Sequence, residues 1–157
     1  MNRTAKIYSS LVLILILTAC STSSAKEVQI EQPSFANTLF IQKVEGHESS
    51  EERTKMVTDH SKIESILQKV NGLPLEEAAS TSLFQTIKSQ PTYMFGFSEN
   101  EKLESGDSME YGFYILKNGT FIFTHKDINQ LRKRPAVSKE KHKELLHDIK
   151  GELDITF

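Results

Sequence analysis

Histidine is the side chain most often found holding a metal or moving a proton near neutral pH, and this chain has five: His47, His60, His125, His142 and His147. Two imidazoles on one helix chelate a metal at i and i+4. His142 and His147 stand five apart and diverge by about 140° around a helix axis, which argues against a helical pair. His142 instead continues the apolar stripe of Leu145, Leu146 and Ile149 and reads as a core-edge residue. Glu99, Glu101, Glu104 and Asp107 form an acidic loop that invites calcium, yet it lacks the alternating Asp/Asn ligands and closing Glu of an EF-hand loop. No serine occupies a Gly-x-Ser-x-Gly elbow, and no Gly-x-Gly-x-x-Gly or phosphate-cradling loop occurs. Asn118-Gly119-Thr120 matches a glycosylation sequon by letter, but a tight turn accounts for it. The sequence therefore nominates no catalytic residue, no cofactor-binding residue and no metal ligand, and no cofactor is expected.

One nucleophile remains. Cys20 is the single cysteine, so an internal disulfide is excluded and the fold must rest on burial. Ahead of it, Arg3 and Lys6 lead into the apolar run Leu11 to Leu17 and then small residues, the order of a secretory signal. The thirteen residues from Ile7 to Ala19 fall short of the roughly 20 that a spanning helix needs. Leu17-Thr18-Ala19-Cys20 resembles a bacterial lipobox: Leu three places before the Cys, Thr two before, Ala adjacent. The resemblance implies diacylglyceryl transfer to the Cys20 sulfur, cleavage after Ala19, Cys20 as the new N-terminus, and palmitate or similar chains in the membrane. One acyl chain binds a bilayer marginally, whereas two or more hold firmly.

Those residues must be carried by the rest of the chain, which divides into a lipoprotein signal peptide at 1–19, a lipidated N-terminus and flexible tether at 20–34, and a single domain at 35–157. The tether is Ser- and Thr-rich at first, although Val28 and Ile30 alternate with polar neighbours as a short edge strand does. The formal net charge of -2 becomes -4 once Arg3 and Lys6 are removed. From Lys126 to Lys150, eight basic side chains face four acidic ones, a solvated segment or one turned toward anionic lipid or wall polymer.

Strand formers fill Thr38 to Val44, and Thr54 to Thr58 reads as the return strand of a hairpin. Ile63, Ile66, Leu67 and Val70 fall on one helical stripe, with Asp59 or Ser61 as N-cap, Glu64 completing a capping box after Ser61, and Asn71-Gly72 as the stop. Pro74 starts a second helical pattern through Leu75, Ala78, Ala79, Ser82 and Leu83. From Pro91 the period becomes two, with Tyr93, Phe95 and Phe97 on one face. Asn118-Gly119 predicts a type I′ hairpin that sets Leu116 opposite Phe121 and Tyr114 opposite Phe123. Ile128 to Arg134 follows, then a helix capped by Ser138 and stopped at Gly151, then Leu153, Ile155 and Phe157 in strand-like alternation. The aromatic side chains Tyr93, Phe95, Tyr111, Tyr114, Phe121 and Phe123 read as core before they read as a ligand platform.

These elements predict an α+β fold. The expected form is an antiparallel sheet of about four to five strands, with an amphipathic helix after the first strands and a C-terminal helix packed on one face. Thr58-Asp59 before the Ile63 helix, Pro91-x-Tyr93 opening a strand, the Asn118-Gly119 turn and a Ser-initiated terminal helix come in an order that resembles the YhfM-like lipoproteins of Gram-positive bacteria. That resemblance implies a class and brings no catalytic residues. The expectation is a membrane-anchored extracytoplasmic lipoprotein at the cell envelope, not an enzyme. It is held by diacylglyceryl at Cys20 and binds a protein, peptide or envelope polymer, with no nucleic acid partner. The rival readings are a small envelope hydrolase and an inhibitor or immunity-type lipoprotein.

Overall fold

A computed structural model of the chain describes residues 26–46, 48–104, 107, 109–123 and 135–157. Cys20, His47, His125 and the segment Ile128 to Arg134 lie outside the described residues. Among the described residues eight strands form one antiparallel sheet: β1 (Lys26–Glu27), β2 (Thr38–Val44), β3 (Thr54–Val57), β4 (Pro74–Glu77), β5 (Thr92–Ser98), β6 (Tyr111–Leu116), β7 (Phe121–Phe123) and β8 (Ala136–Ser138). Their spatial order is β1-β4-β8-β7-β6-β5-β2-β3. Three α-helices among the described residues accompany them: α1 (His60–Val70), α2 (Ser80–Lys88) and α3 (Lys143–Glu152).

The sheet is thus larger than the four to five strands expected from sequence. The additional strands are β1, β4 and β8, which have two, four and three residues. Such short strands display almost no period-two pattern, because backbone pairing with a neighbour holds them. β4 is the clearest case. Leu75-Glu76-Glu77 has helical propensity, but it pairs with Ser138, Val137 and Ala136 of β8. Pro74 at the first strand position sacrifices no interior ladder bond. The second helix consequently begins at Ser80 rather than at Pro74.

Of the helices, α1 and α3 share one face of the sheet, and α2 lies on the other. On one side, Leu39, Ile41, Phe95, Phe97, Phe113, Ile115 and Phe121 join Ile63, Ile66, Leu67 and Val70 of α1 and Leu146 and Ile149 of α3 in the main core. On the other, α2 places Leu83 against Leu116, Ile122 and Val137. Successive strand residues point to opposite faces, so the apolar residues at alternate positions in β6 and β7 serve the two cores.

That division depends on the β6–β7 register, which differs from the expected one. Phe113 pairs with Phe123, Tyr114 with Ile122 and Ile115 with Phe121. The turn closes on three residues, with Leu116 N–H donating to the Thr120 carbonyl at 2.9 Å and Gly119 N–H to the Leu116 carbonyl at 2.8 Å. Only Gly119 takes positive φ there (87°), the position a three-residue loop with a glycine bulge reserves for it. The two-residue alternative would have moved every β7 side chain to the wrong face.

Helix termini follow local chemistry. Asp59, rather than Ser61, caps α1, its carboxylate accepting from the Ser61 amide at 3.0 Å and from the Ser61 hydroxyl at 2.6 Å. Glu64 does not close a capping box and instead accepts from Gln68 Nε2 at 3.0 Å. α3 runs past Gly151 to Glu152. It ends with Asp154 at φ 50°, and Ile155 N–H reaches the Lys150 carbonyl at 2.8 Å in a Schellman arrangement. Leu153 and Ile155 are buried by this turn, and residues 153–157 form no strand.

Candidate functional site

α1 ends at Val70, and Asn71 and Gly72 bend the chain so that it grips an extended segment far upstream. Gly72, at φ 80°, donates its N–H to the Val28 carbonyl at 2.8 Å, and Val28 N–H donates to the Leu73 carbonyl at 3.0 Å. Ile30 N–H donates to Asn71 Oδ1 at 2.9 Å. Val28 is buried in the main core and Ile30 packs on it, so the segment beyond β1 is fixed at alternate residues. A short 3-10 turn at Pro33–Phe35 follows, closed by Phe35 N–H to the Gln32 carbonyl at 3.1 Å.

Facing this segment are the end of β5 and the start of β6. Glu110 N–H donates to the Phe97 carbonyl at 3.0 Å, and Glu99 N–H donates to Glu110 Oε2 at 3.1 Å. Asn37 N–H donates to the Ser98 carbonyl at 2.8 Å, and the Thr38 hydroxyl donates to the Asn100 carbonyl at 2.7 Å. Between the two walls lies an open cleft of about 730 Å³ lined by Gln29, Ile30, Glu31, Gln32, Phe35, Glu99, Met109, Glu110 and Tyr111. Ligand sites commonly have volumes of about 300–1,000 Å³.

The cleft has an aromatic floor and an acidic rim. Phe35 meets Tyr111 edge-on at 6.5 Å, and Tyr111 in turn contacts Phe97 at 6.0 Å and Phe113 at 6.3 Å. Burial pushes the Tyr111 phenol well above the ordinary tyrosine range, so it remains a protonated hydroxyl. Glu31, Glu99 and Glu110 supply carboxylates, and among the described residues no Lys, Arg or His lines the cleft. Aromatic faces and carboxylates together suit a cationic group.

The sequence candidates are dispersed. His60 opens α1 and is exposed, as is His147 on α3, and among the described residues His147 meets no serine. His142 is the residue before α3; its ring stands edge-on to Phe121 at 6.0 Å, and its Nε2 is buried without a hydrogen-bond partner. No group of three His, Cys, Asp or Glu able to hold a metal occurs among the described residues. In the acidic loop, Asp107 accepts from the Glu104 amide at 2.9 Å, an internal turn, and Glu99 belongs to the cleft. Phe95 and Phe121 are wholly buried, and Phe123 and Tyr93 nearly so. Lys150 of the basic segment donates to the Phe157 carbonyl at 2.8 Å and to the Tyr93 hydroxyl at 3.0 Å, while Lys139, Lys141 and Lys143 are exposed.

Sequence reasoning missed the cleft because Phe35 and Tyr111 are brought together only by the fold. The one local hint was the alternation of Val28 and Ile30. No protein-family model, curated protein or solved structure matches the chain. Among the described residues no helix is long and apolar enough to cross a membrane.

Proposed function

We propose that the protein is a membrane-anchored extracytoplasmic lipoprotein, of the kind the YhfM-like resemblance implies, whose folded domain binds a partner rather than catalysing a reaction. The observation that carries this reading is Leu17-Thr18-Ala19-Cys20 placed directly behind a charged and then apolar leader. Diacylglyceryl on the Cys20 sulfur would anchor the chain. Gln29, at the cleft wall, comes nine residues later, so an extended leash of roughly 30 Å at most separates anchor and cleft. The cleft therefore works close to the membrane face. Its size and its mixed aromatic and carboxylate lining favour recognition of a partner, here a protein or peptide of the envelope.

Replacing the anchor residue tests the proposal. In a Gram-positive host, the Cys20→Ala chain is expected to take up no labelled palmitate and to leave the washed membrane fraction, while the unaltered chain is labelled and remains. Equal membrane retention and labelling of the two chains would refute it.

A further inference from the structure

We propose that the cleft is a docking groove for an extended basic peptide, an inference that rests on the binding-domain reading above. Its floor is apolar, made by Ile30, Phe35, Met109 and Tyr111. Its rim carries Glu31, Glu99 and Glu110, with no balancing cation among the described residues. These carboxylates do not gather into a metal-holding group. The negative charge is spread along the groove, which fits several cationic side chains in series better than a single ion. Lys and Arg suit such a surface, because their methylene stems can lie on the aromatic floor while their heads reach carboxylates.

The wall supplies an independent reason for an extended chain. Val28 and Ile30 have their amides bonded to Leu73 and Asn71. Gln29, between them, has no backbone hydrogen-bond partner among the described residues, and the chain bends at Glu31. A short stretch such as Val28 to Ile30, with one edge paired and the other open, offers main-chain groups to which an extended peptide can add, and pocket contacts to its alternate side chains supply selectivity. In this groove the selective side chains would be basic ones passing over Tyr111 toward Glu99 and Glu110, with Glu31 on the opposite bank.

The test uses the mature lipidated chain in detergent micelles and a fluorescent alternating Lys-Val peptide, with the Glu-Val peptide as control. Saturable anisotropy with the Lys-Val peptide alone is expected, weakening as salt is raised. The double variant Glu31→Gln and Glu99→Gln should bind about tenfold more weakly, since two rim charges are removed. The side chains of these two residues make no hydrogen bond among the described residues, so the melting temperature should be unchanged. Equal affinity of the variant would place the peptide elsewhere and overturn the inference. So would displacement of the peptide by millimolar tetramethylammonium or calcium, which would make the occupant a small cation, or self-association of the chain in place of peptide binding. Absence of peptide binding by a chain that still incorporates palmitate and fractionates with membranes would overturn the groove and leave the anchored-lipoprotein reading standing.

Discussion

The backbone amide of His142 donates to the carbonyl of Gly119 at 2.8 Å, and this contact joins the β6–β7 turn to the start of α3. A Cβ at position 119 would lie 2.6 Å from the Lys143 nitrogen and 2.8 Å from the His142 carbonyl carbon. Both obstacles are backbone, and the positive φ of 87° is itself unfavourable for a side chain. Gly119→Ala is therefore expected to destabilise the domain by about 3 kcal/mol, combining left-handed strain with displacement of α3. Thermal melting should fall by roughly 10 °C. An unchanged melting temperature would show that the turn and helix do not press on one another.

Phe113 is the hub of the main core. Its ring meets Phe95 at 5.1 Å, Phe97 at 5.6 Å, Phe121 at 5.9 Å and Phe123 at 5.5 Å. Phe113→Ala should cost about 3–5 kcal/mol, measured by denaturant titration. Met56→Ala, at a side chain 49% exposed on edge strand β3, should change stability by about 0.5 kcal/mol or less. A reversed ranking would contradict the assignment of core and edge.

Leu83 tests the second layer. Its side chain is 6% exposed and shares a cluster with Leu116, Ile122 and Val137 on the sheet face away from α1. Leu83→Ala is expected to destabilise by about 2–4 kcal/mol in a chemical melt. A loss below about 0.5 kcal/mol would mean that α2 is not seated on that face.

Two exposed carboxylates give acid sensitivity. The Ser61 hydroxyl and the Lys62 amide hold the Asp59 carboxyl below its usual 3.8, and the Lys62 ammonium, bonded at 3.0 Å, does the same for Asp154. Each folded-state pKa lies below its unfolded value, so each contributes stability above the unfolded pKa, and this is lost as pH falls from about 4 through the folded value. The Asp59→Asn and Asp154→Asn double variant should have lower stability at neutral pH and a shallower loss of stability below pH 4, read from melts across that range. A slope identical to the parent's would contradict both assignments.

Where a side-chain pattern is long enough to repeat, the fold was legible before any coordinates. Ile63, Ile66, Leu67 and Val70 show a helical stripe in sequence, and all four are fully buried. Tyr93, Phe95 and Phe97 alternate in sequence and face one core. The short strands β1, β4 and β8 were not legible, because they are held by backbone ladders that leave little trace in side-chain type. The hairpin register escaped for a different reason. Asn-Gly is compatible with two loop lengths, and the longer one is found with α3 packed directly against Gly119. The cleft joins residues from opposite halves of the chain, and no local spacing could announce that Glu31 and Tyr111 line one cleft.

The anchor carries the whole account, and the intact mass of the protein purified from washed membranes addresses it most directly. The predicted result is a chain that begins at Cys20, lacks residues 1–19, and bears a diacylglyceryl mass that tandem fragmentation assigns to the Cys20 sulfur. A chain that retains residues 1–19, or one that begins elsewhere with an unmodified thiol, would contradict it.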